Sequence, residues 1–143
     1  MNEFLSGQAL YYDSISEGKS FLLLDKENNQ IISYFTLKCS SIQIFDEEMM
    51  EEPKVFSAVE ISRLAVNQSY QKQGYGEKTL AHALEIVMTV KSNFCGVRFV
   101  TLFAIPDAVN FYKHTFNFEE IEDGIEIYCN SENKDCIFMY SSV

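Results

Sequence analysis

Ala58-Val59-Glu60-Ile61-Ser62-Arg63-Leu64-Ala65-Val66, followed by Asn67-Gln68-Ser69-Tyr70 and then Gln71-Lys72-Gln73-Gly74-Tyr75-Gly76, is the stretch that decides how this chain folds. Ala58 to Val66 is dense in apolar and β-branched residues and reads as a strand. The polar segment Gln68 to Gly74 ends it. From Tyr75 to Thr89 the period turns helical: Leu80, Leu84, Val87 and Met88 share one face, and Glu77, Lys78 and Glu85 fall outside it. Gly74 and Gly76 let the backbone come close to an anion. The free N–H groups and positive dipole end of the helix aim at the same place, where Lys72 and Lys78 add charge. Gln71 to Gly76 therefore reads as a site for a phosphate or pyrophosphate. Glycine spacing alone leaves a second reading open, in which the two glycines only shape a tight turn. The segment is not a GxGxxG dinucleotide motif, because Thr79 stands where the third glycine would be, and no GKS or GKT follows to make a P-loop.

On the N-terminal side, Phe4, Leu5, Ala9, Leu10, Tyr11 and Ile15 suit one or two short helical turns closed by Gly18. Phe21-Leu22-Leu23-Leu24 and Ile31 to Leu37, separated by a polar turn with Asn28-Asn29, predict a hairpin, and Ile42 to Phe45 extends the sheet. The acidic segment Asp46 to Lys54 lacks EF-hand spacing and reads as a solvated loop.

On the C-terminal side, Val97 to Phe103 is a nearly continuous apolar run and reads as a strand buried on both faces. Pro106 fits the first turn of a helix, on which Ala108, Phe111 and Tyr112 lie one above another. Phe118 to Ile121, Ile125 to Tyr128 and Cys136 to Tyr140 read as closing strands. The order predicts an α/β, α+β-type mixed sheet with a parallel crossover inside it. The whole chain, residues 1–143, is expected to form one domain, and a chain of this length can bury about two thirds of its unfolded surface.

Twenty-one acidic residues face 11 basic ones, a net charge of −10 that disfavours a broad nucleic-acid-binding surface. The four cysteines form no CxxC pair, and with only two histidines no zinc ligand set is apparent. No segment approaches the roughly 18 consecutive apolar residues of a membrane span, and Met1 to Leu10 has no signal-peptide pattern. A cytoplasmic protein, monomeric or homodimeric, with reduced, mostly buried thiols is expected.

Arg63-Leu64-Ala65-Val66, a short polar loop, and Gln71-x-x-Gly74-x-Gly76 resemble the acetyl-CoA-binding motif of the GNAT N-acetyltransferases. A further strand and a helix carrying Phe111-Tyr112 follow in the family's order, and the likeness spans nearly the whole chain. It implies the acyl-CoA N-acyltransferase fold, with about six or seven strands, helices on both faces and a splay between the two central parallel strands. Acetyl-CoA is then the co-substrate, with no metal. Its pantetheine arm would pair with the backbone of Leu64, Ala65 and Val66 like an added strand. Its pyrophosphate would rest on Gln71, Lys72, Gln73, Gly74, Tyr75 and Gly76, with Lys78 and Phe111 nearby. A backbone N–H near Val66 would polarise the thioester carbonyl.

Tyr112 matches the family's tyrosine beside the cofactor sulfur and is the expected general acid. Glu60 is the expected base, on the same strand face as Ser62 and Leu64; its other reading is an ordinary strand glutamate in solvent or paired with Arg63 or a lysine. His82 reads as exposed, and His114 as a helix-end residue. Asn117-Phe118 replaces the family's Gly-Phe, and asparagine can take the same left-handed backbone. Ile105-Pro106-Asp107 stands where many members carry an asparagine, a departure at one cofactor contact for which Asn110 is a weak substitute.

The acceptor is expected to be a primary amine on a small molecule or peptide, which suits an acidic enzyme, with the segment Asp46 to Glu52 as a gate. The closest likeness within the superfamily is to the acetyltransferase toxins of bacterial toxin–antitoxin pairs, carried by Tyr34 to Leu37, the Arg63 to Val66 run and Phe111-Tyr112. That likeness implies an aminoacyl-tRNA acceptor, with Tyr112 central and Glu60 incidental. A third reading is an acyl-CoA-binding module without catalysis.

Overall fold

The computed structural model describes residues 3–46, 52, 54–121, 125–127 and 135–143. The apolar runs become strands β1 (Lys19–Asp25), β2 (Gln30–Asp46), β3 (Lys54–Val66), β4 (Phe99–Ala104), β5 (Glu119–Glu120), β6 (Ile125–Ile127) and β7 (Ile137–Ser142). The helices are α1 (Ala9–Ser14), preceded by a π-helical turn at Phe4–Gln8, then α2 (Tyr75–Asn93) and α3 (Val109–Phe116). Among the described residues the strands form one sheet in the order β1-β2-β3-β4-β7-β5, with β6 on the far end of β2. Only β3 and β4 run parallel, joined through α2; the other pairings are antiparallel. This is the mixed sheet with an internal crossover that the sequence predicts. The expected acidic loop and gate, and the last residue of the predicted strand Ile125 to Tyr128, fall largely outside the described residues.

The β1–β2 hairpin closes with Asp25 opposite Gln30 and Asn29 in the left-handed region at φ 51°. The Asp25 carboxylate accepts the amides of Glu27 and Asn28, so the turn is stapled from its first residue. The N-terminal helix ends differently from expectation. Ser16, not Gly18, takes the left-handed backbone, at φ 60°. Gly18 answers a packing demand: a Cβ there would lie 3.0 Å from Thr36 Cγ2.

One face of the sheet packs against α2 and α3, with Phe35, Leu37, Ile61, Val100, Leu102 and Met139 in the same core cluster as Leu80, Ala83, Val87 and Tyr112. The buried stripe of α2 is Thr79, Leu80, Ala83 and Val87. Met88, expected in it, is 44% exposed; it sits at the rim of the stripe, and Ala83 takes the central place. Truncating Leu80 here would remove about 2–5 kcal/mol. On the other face Phe4, Ala9 and Tyr34 pack beneath α1, and Ile42, Ala58 and Phe99 form a third cluster. Strand β4 is buried on both faces, as its apolar run predicts. The thiols are not mostly buried as expected: among the described residues Cys39 and Cys95 are exposed and Cys136 is half-buried. Cys39 stands on β2 outside the core clusters, and Cys95 and Cys136 lie in the connections after α2 and before β7.

A bulge changes the parity of β3. Thr36 faces Arg63, but Leu37 faces Ile61, so Ser62 has no counterpart on β2. Ile61 and Leu64 both join the main core although an odd number of steps separates them. Glu60 pairs with Lys38 on the opposite face. The expectation that Glu60 shares a face with Leu64 is therefore wrong: strict alternation holds only while no residue is inserted.

Candidate active site

Strands β3 and β4 pair only from Ala58 against Phe99 to Ile61 against Leu102. Beyond that point β3 runs on to Val66 with β2 as its one partner among the described residues. The two central strands thus part over Ser62 to Val66, which is the splay expected between the strand ends. The edge of Leu64, Ala65 and Val66 faces that gap.

The loop after β3 is tied to β2 at its start and braced from within. Asn67 donates its amide to the Ile32 carbonyl at 2.8 Å, and its side chain accepts from Ser69 N–H at 3.2 Å, capping a 3-10 turn at Gln68–Tyr70. The Gln71 side chain donates to the Val66 carbonyl at 3.2 Å, and that of Gln73 to the Ser69 carbonyl at 3.1 Å. Both side chains brace the turn, so what the loop can present to an anion is its backbone.

Lys72 and Gly74 occupy the left-handed region, at φ 60° and 80°. Gly74 stands at the N-cap of α2, and having no side chain it leaves that end without an N-cap side-chain bond. A Cβ on Gly74 would meet nothing within 4 Å, so the outer side of the turn is clear. The first bond from the helix back into the loop runs from Lys78 N–H to the Gly74 carbonyl at 3.2 Å. First-turn amides and the dipole end therefore face outward together. The Lys78 ammonium lies 5.2 Å from the Tyr75 ring centre.

At Gly76 a Cβ would lie 3.6 Å from the Phe111 ring and 3.9 Å from Val66 Cγ2. Val66, Gly76 and Phe111 therefore converge at the mouth of the gap, and Phe111 stands edge-on to Tyr112 with ring centres 5.1 Å apart. Tyr112 is buried, and its ring also meets Phe118 at 5.9 Å. Burial pushes its phenol above the ordinary value, and no hydrogen bond ties the hydroxyl among the described residues. Such a group stays protonated at neutral pH, which suits an acid rather than a base. Asn117 at the end of α3 takes the left-handed backbone expected of it, at φ 53°, and caps the helix through the Tyr112 carbonyl.

Glu60 is not brought to Tyr112. Its carboxylate lies 3.2 Å from the Lys38 ammonium, on the other face of the sheet from the main core. Beside it on β4, Thr101 is 1% exposed and its hydroxyl has no hydrogen-bond partner among the described residues. His82 is exposed, as expected, with Glu85 at 3.2 Å and its ring edge-on to Phe35. Three contributors were not anticipated: Asp25, Tyr70 and Thr79. Asn67-Gln68-Ser69 carried a legible turn signal, but the Tyr70 to Asp25 contact spans 45 residues and had no local one.

These features define an N-acyltransferase architecture: a parted parallel strand pair beside a glycine-containing helix entry. The model of the acetyltransferase (GNAT) family matches residues 3–118, and the chain belongs to that family. Solved structures agree in fold. One described as a bacterial toxin superposes with a TM-score of 0.77 at 20% identity, over 98% of this chain and 75% of that one. AtaTR bound with acetyl-CoA gives 0.72 at 22% identity, over 94% and 77%. AtaT complexed with acetyl-methionyl-tRNAfMet gives 0.69 at 22% identity, over 94% and 78%. No curated protein sequence matches the chain significantly. No helix among the described residues is long and apolar enough to cross a membrane.

Proposed function

We propose that the chain transfers the acetyl group of acetyl-CoA to a primary amine by direct attack, with Tyr112 as general acid for the departing thiolate. The observation that carries this reading is the parting of β3 and β4 after Ile61 and Leu102, beside the uncapped N-terminus of α2. The gap offers the pantetheine arm a strand edge at Leu64 to Val66. The turn from Gln71 to Gly76 offers backbone amides for the pyrophosphate, with Lys72 and Lys78 adding charge. Tyr112, whose phenol burial keeps protonated, packs edge-on to Phe111, which stands at that mouth. An amide near Val66 then stabilises the tetrahedral oxyanion as the amine attacks.

Glu60 is subordinate in this mechanism, since Lys38 already holds its carboxylate. The acceptor loses its proton to water.

A second reading makes the acceptor the amino group of an aminoacyl-tRNA. Two observations favour it: AtaT, similar in fold, is seen with acetyl-methionyl-tRNAfMet, and the pairing of Glu60 with Lys38 leaves the proton chemistry resting on Tyr112. The net charge of −10 opposes it and favours a small cationic amine or a lysine peptide.

Thiol release from acetyl-CoA, measured against polyamines, lysine peptides and charged tRNA, decides between these acceptors. Acetyl-CoA binding without thiol release toward any of them would replace both readings by a non-catalytic acyl-CoA module.

A further inference from the structure

The β1–β2 hairpin and the loop at the α2 N-terminus are joined by Asn67, which bonds the Ile31 and Ile32 carbonyls, and by Tyr70. Tyr70 ends the 3-10 turn just before the loop, and its hydroxyl donates to Asp25 Oδ2 at 2.7 Å, with Gln30 Oε1 at 3.4 Å. Asp25 is itself fixed. Its Oδ1 takes the amides of Glu27 and Asn28 at 3.0 and 3.2 Å, and its Oδ2 takes Asn28 Nδ2 at 2.8 Å. The Tyr70 ring then stands edge-on to Tyr75, the first residue of α2, with centres 5.8 Å apart.

Tyr70 and Tyr75 are thus the two posts of the turn, and they touch each other. Between them lie the left-handed Lys72 and Gly74. A lysine in that region is strained, and the braces from Gln71 and Gln73 reach only Val66 and Ser69, so a tie to the sheet adds to what holds the turn. The Asp25–Tyr70 bond is the side-chain tie that anchors one post to the sheet edge.

We propose that Asp25 and Tyr70 are positioning residues for the co-substrate: together they hold the loop Gln71 to Gly76 in the shape that receives the acetyl-CoA pyrophosphate. Neither touches the cofactor. The inference rests on the reading of that loop given under Proposed function. Its energetic basis is preorganisation: a loop that visits its binding shape only part of the time binds more weakly by that fraction.

The test is calorimetric titration of the full chain with acetyl-CoA, and with S-acetylpantetheine, which lacks the pyrophosphate. Tyr70→Phe keeps the ring on Tyr75 and removes only the hydroxyl. It should raise the acetyl-CoA Kd about five- to tenfold, a loop formed a fifth to a tenth of the time, and leave the S-acetylpantetheine Kd unchanged. Asp25→Ala should weaken acetyl-CoA alike and add nothing on top of Tyr70→Phe. Asp25→Asn, which keeps an oxygen for the Glu27 and Asn28 amides, should fall between wild type and Asp25→Ala. Unaltered acetyl-CoA affinity in Tyr70→Phe, or equal weakening of both ligands, overturns the proposal and leaves the loop reading standing. A wild-type chain that binds S-acetylpantetheine as tightly as acetyl-CoA removes the pyrophosphate seat, and the proposal goes with it.

Discussion

The Ser33 and Thr79 hydroxyls meet at 2.6 Å in the buried space between β2 and the first turns of α2. Thr79 spends its proton on the Tyr75 carbonyl, also at 2.6 Å, so Ser33 is the donor of the pair. The helix that carries the anion loop is therefore pinned to the sheet by a polar contact, at the position where a dinucleotide motif would place a glycine. Ser33→Ala and Thr79→Val should each lower stability by about 1–2 kcal/mol, because each leaves a buried oxygen short of a partner. The double variant should cost less than the sum by about 1 kcal/mol. Urea unfolding measures all four corners; strict additivity would show that the two hydroxyls act independently.

Tyr112→Phe should lower kcat by about 10²-fold or more while the acetyl-CoA Kd stays within about twofold. Burial keeps the phenol protonated, so wild-type turnover should show no fall assignable to its ionisation between pH ~7 and ~9. A full rate in the phenylalanine variant removes Tyr112 from the chemistry.

Gly74 tolerates a side chain in space but not in backbone. Its φ of 80° is left-handed, and a Cβ would meet no neighbour within 4 Å. Gly74→Val should therefore cost about 1–2 kcal/mol of stability through strain and weaken acetyl-CoA binding, because the branched side chain would occupy the approach to the amides. Titration and thermal unfolding on the same sample separate the two effects. Undiminished affinity would place the pyrophosphate elsewhere.

Thr101 is buried, and its hydroxyl has no partner among the described residues. Thr101→Val, which keeps the shape and removes the orphan, should raise stability by about 1 kcal/mol. A destabilised variant would mean that the hydroxyl has an acceptor in solution.

The pKa of Asp25 is held at about 2, below the ordinary carboxyl value of 3.8, chiefly by the Asn28 side chain and then by the Tyr70 hydroxyl. A depressed carboxyl contributes stability that is complete above the unfolded value and disappears as pH falls through the folded one. The window is thus pH ~4 down to ~2. In Asp25→Asn the melting temperature should fall less steeply across that window than in wild type. Parallel slopes would show that the bonds to Asp25 do not favour its charged form.

Much of the architecture was legible because local chemistry and tertiary need coincided. The Ile31 to Leu37 run is a strand by composition and a strand in the sheet; Val97 to Phe103 reads as doubly buried, and Phe99 to Ala104 is. The loop Gln71 to Gly76 was visible because left-handed backbone and glycine go together. What failed did so for lack of a local signature. The inserted Ser62 moved Glu60 to the other face from Leu64, and nothing in Glu-Ile-Ser-Arg-Leu announces a bulge. Met88 had the right period but the wrong phase. The Asp25–Tyr70 and Ser33–Thr79 contacts join residues far apart in the chain, and only the folded sheet puts them side by side.

The short seam between β3 and β4 makes the protein two half-sheets hinged along a few rungs, from Ala58 beside Phe99 to Ile61 beside Leu102. A molecule lying in the wedge above that hinge would act as mortar. Amide exchange should then slow on both banks at once, in β3 near Val66 and in β4 near Phe103, although most of those amides would never touch it. The enzyme would be stiffest when loaded and loosest between turnovers.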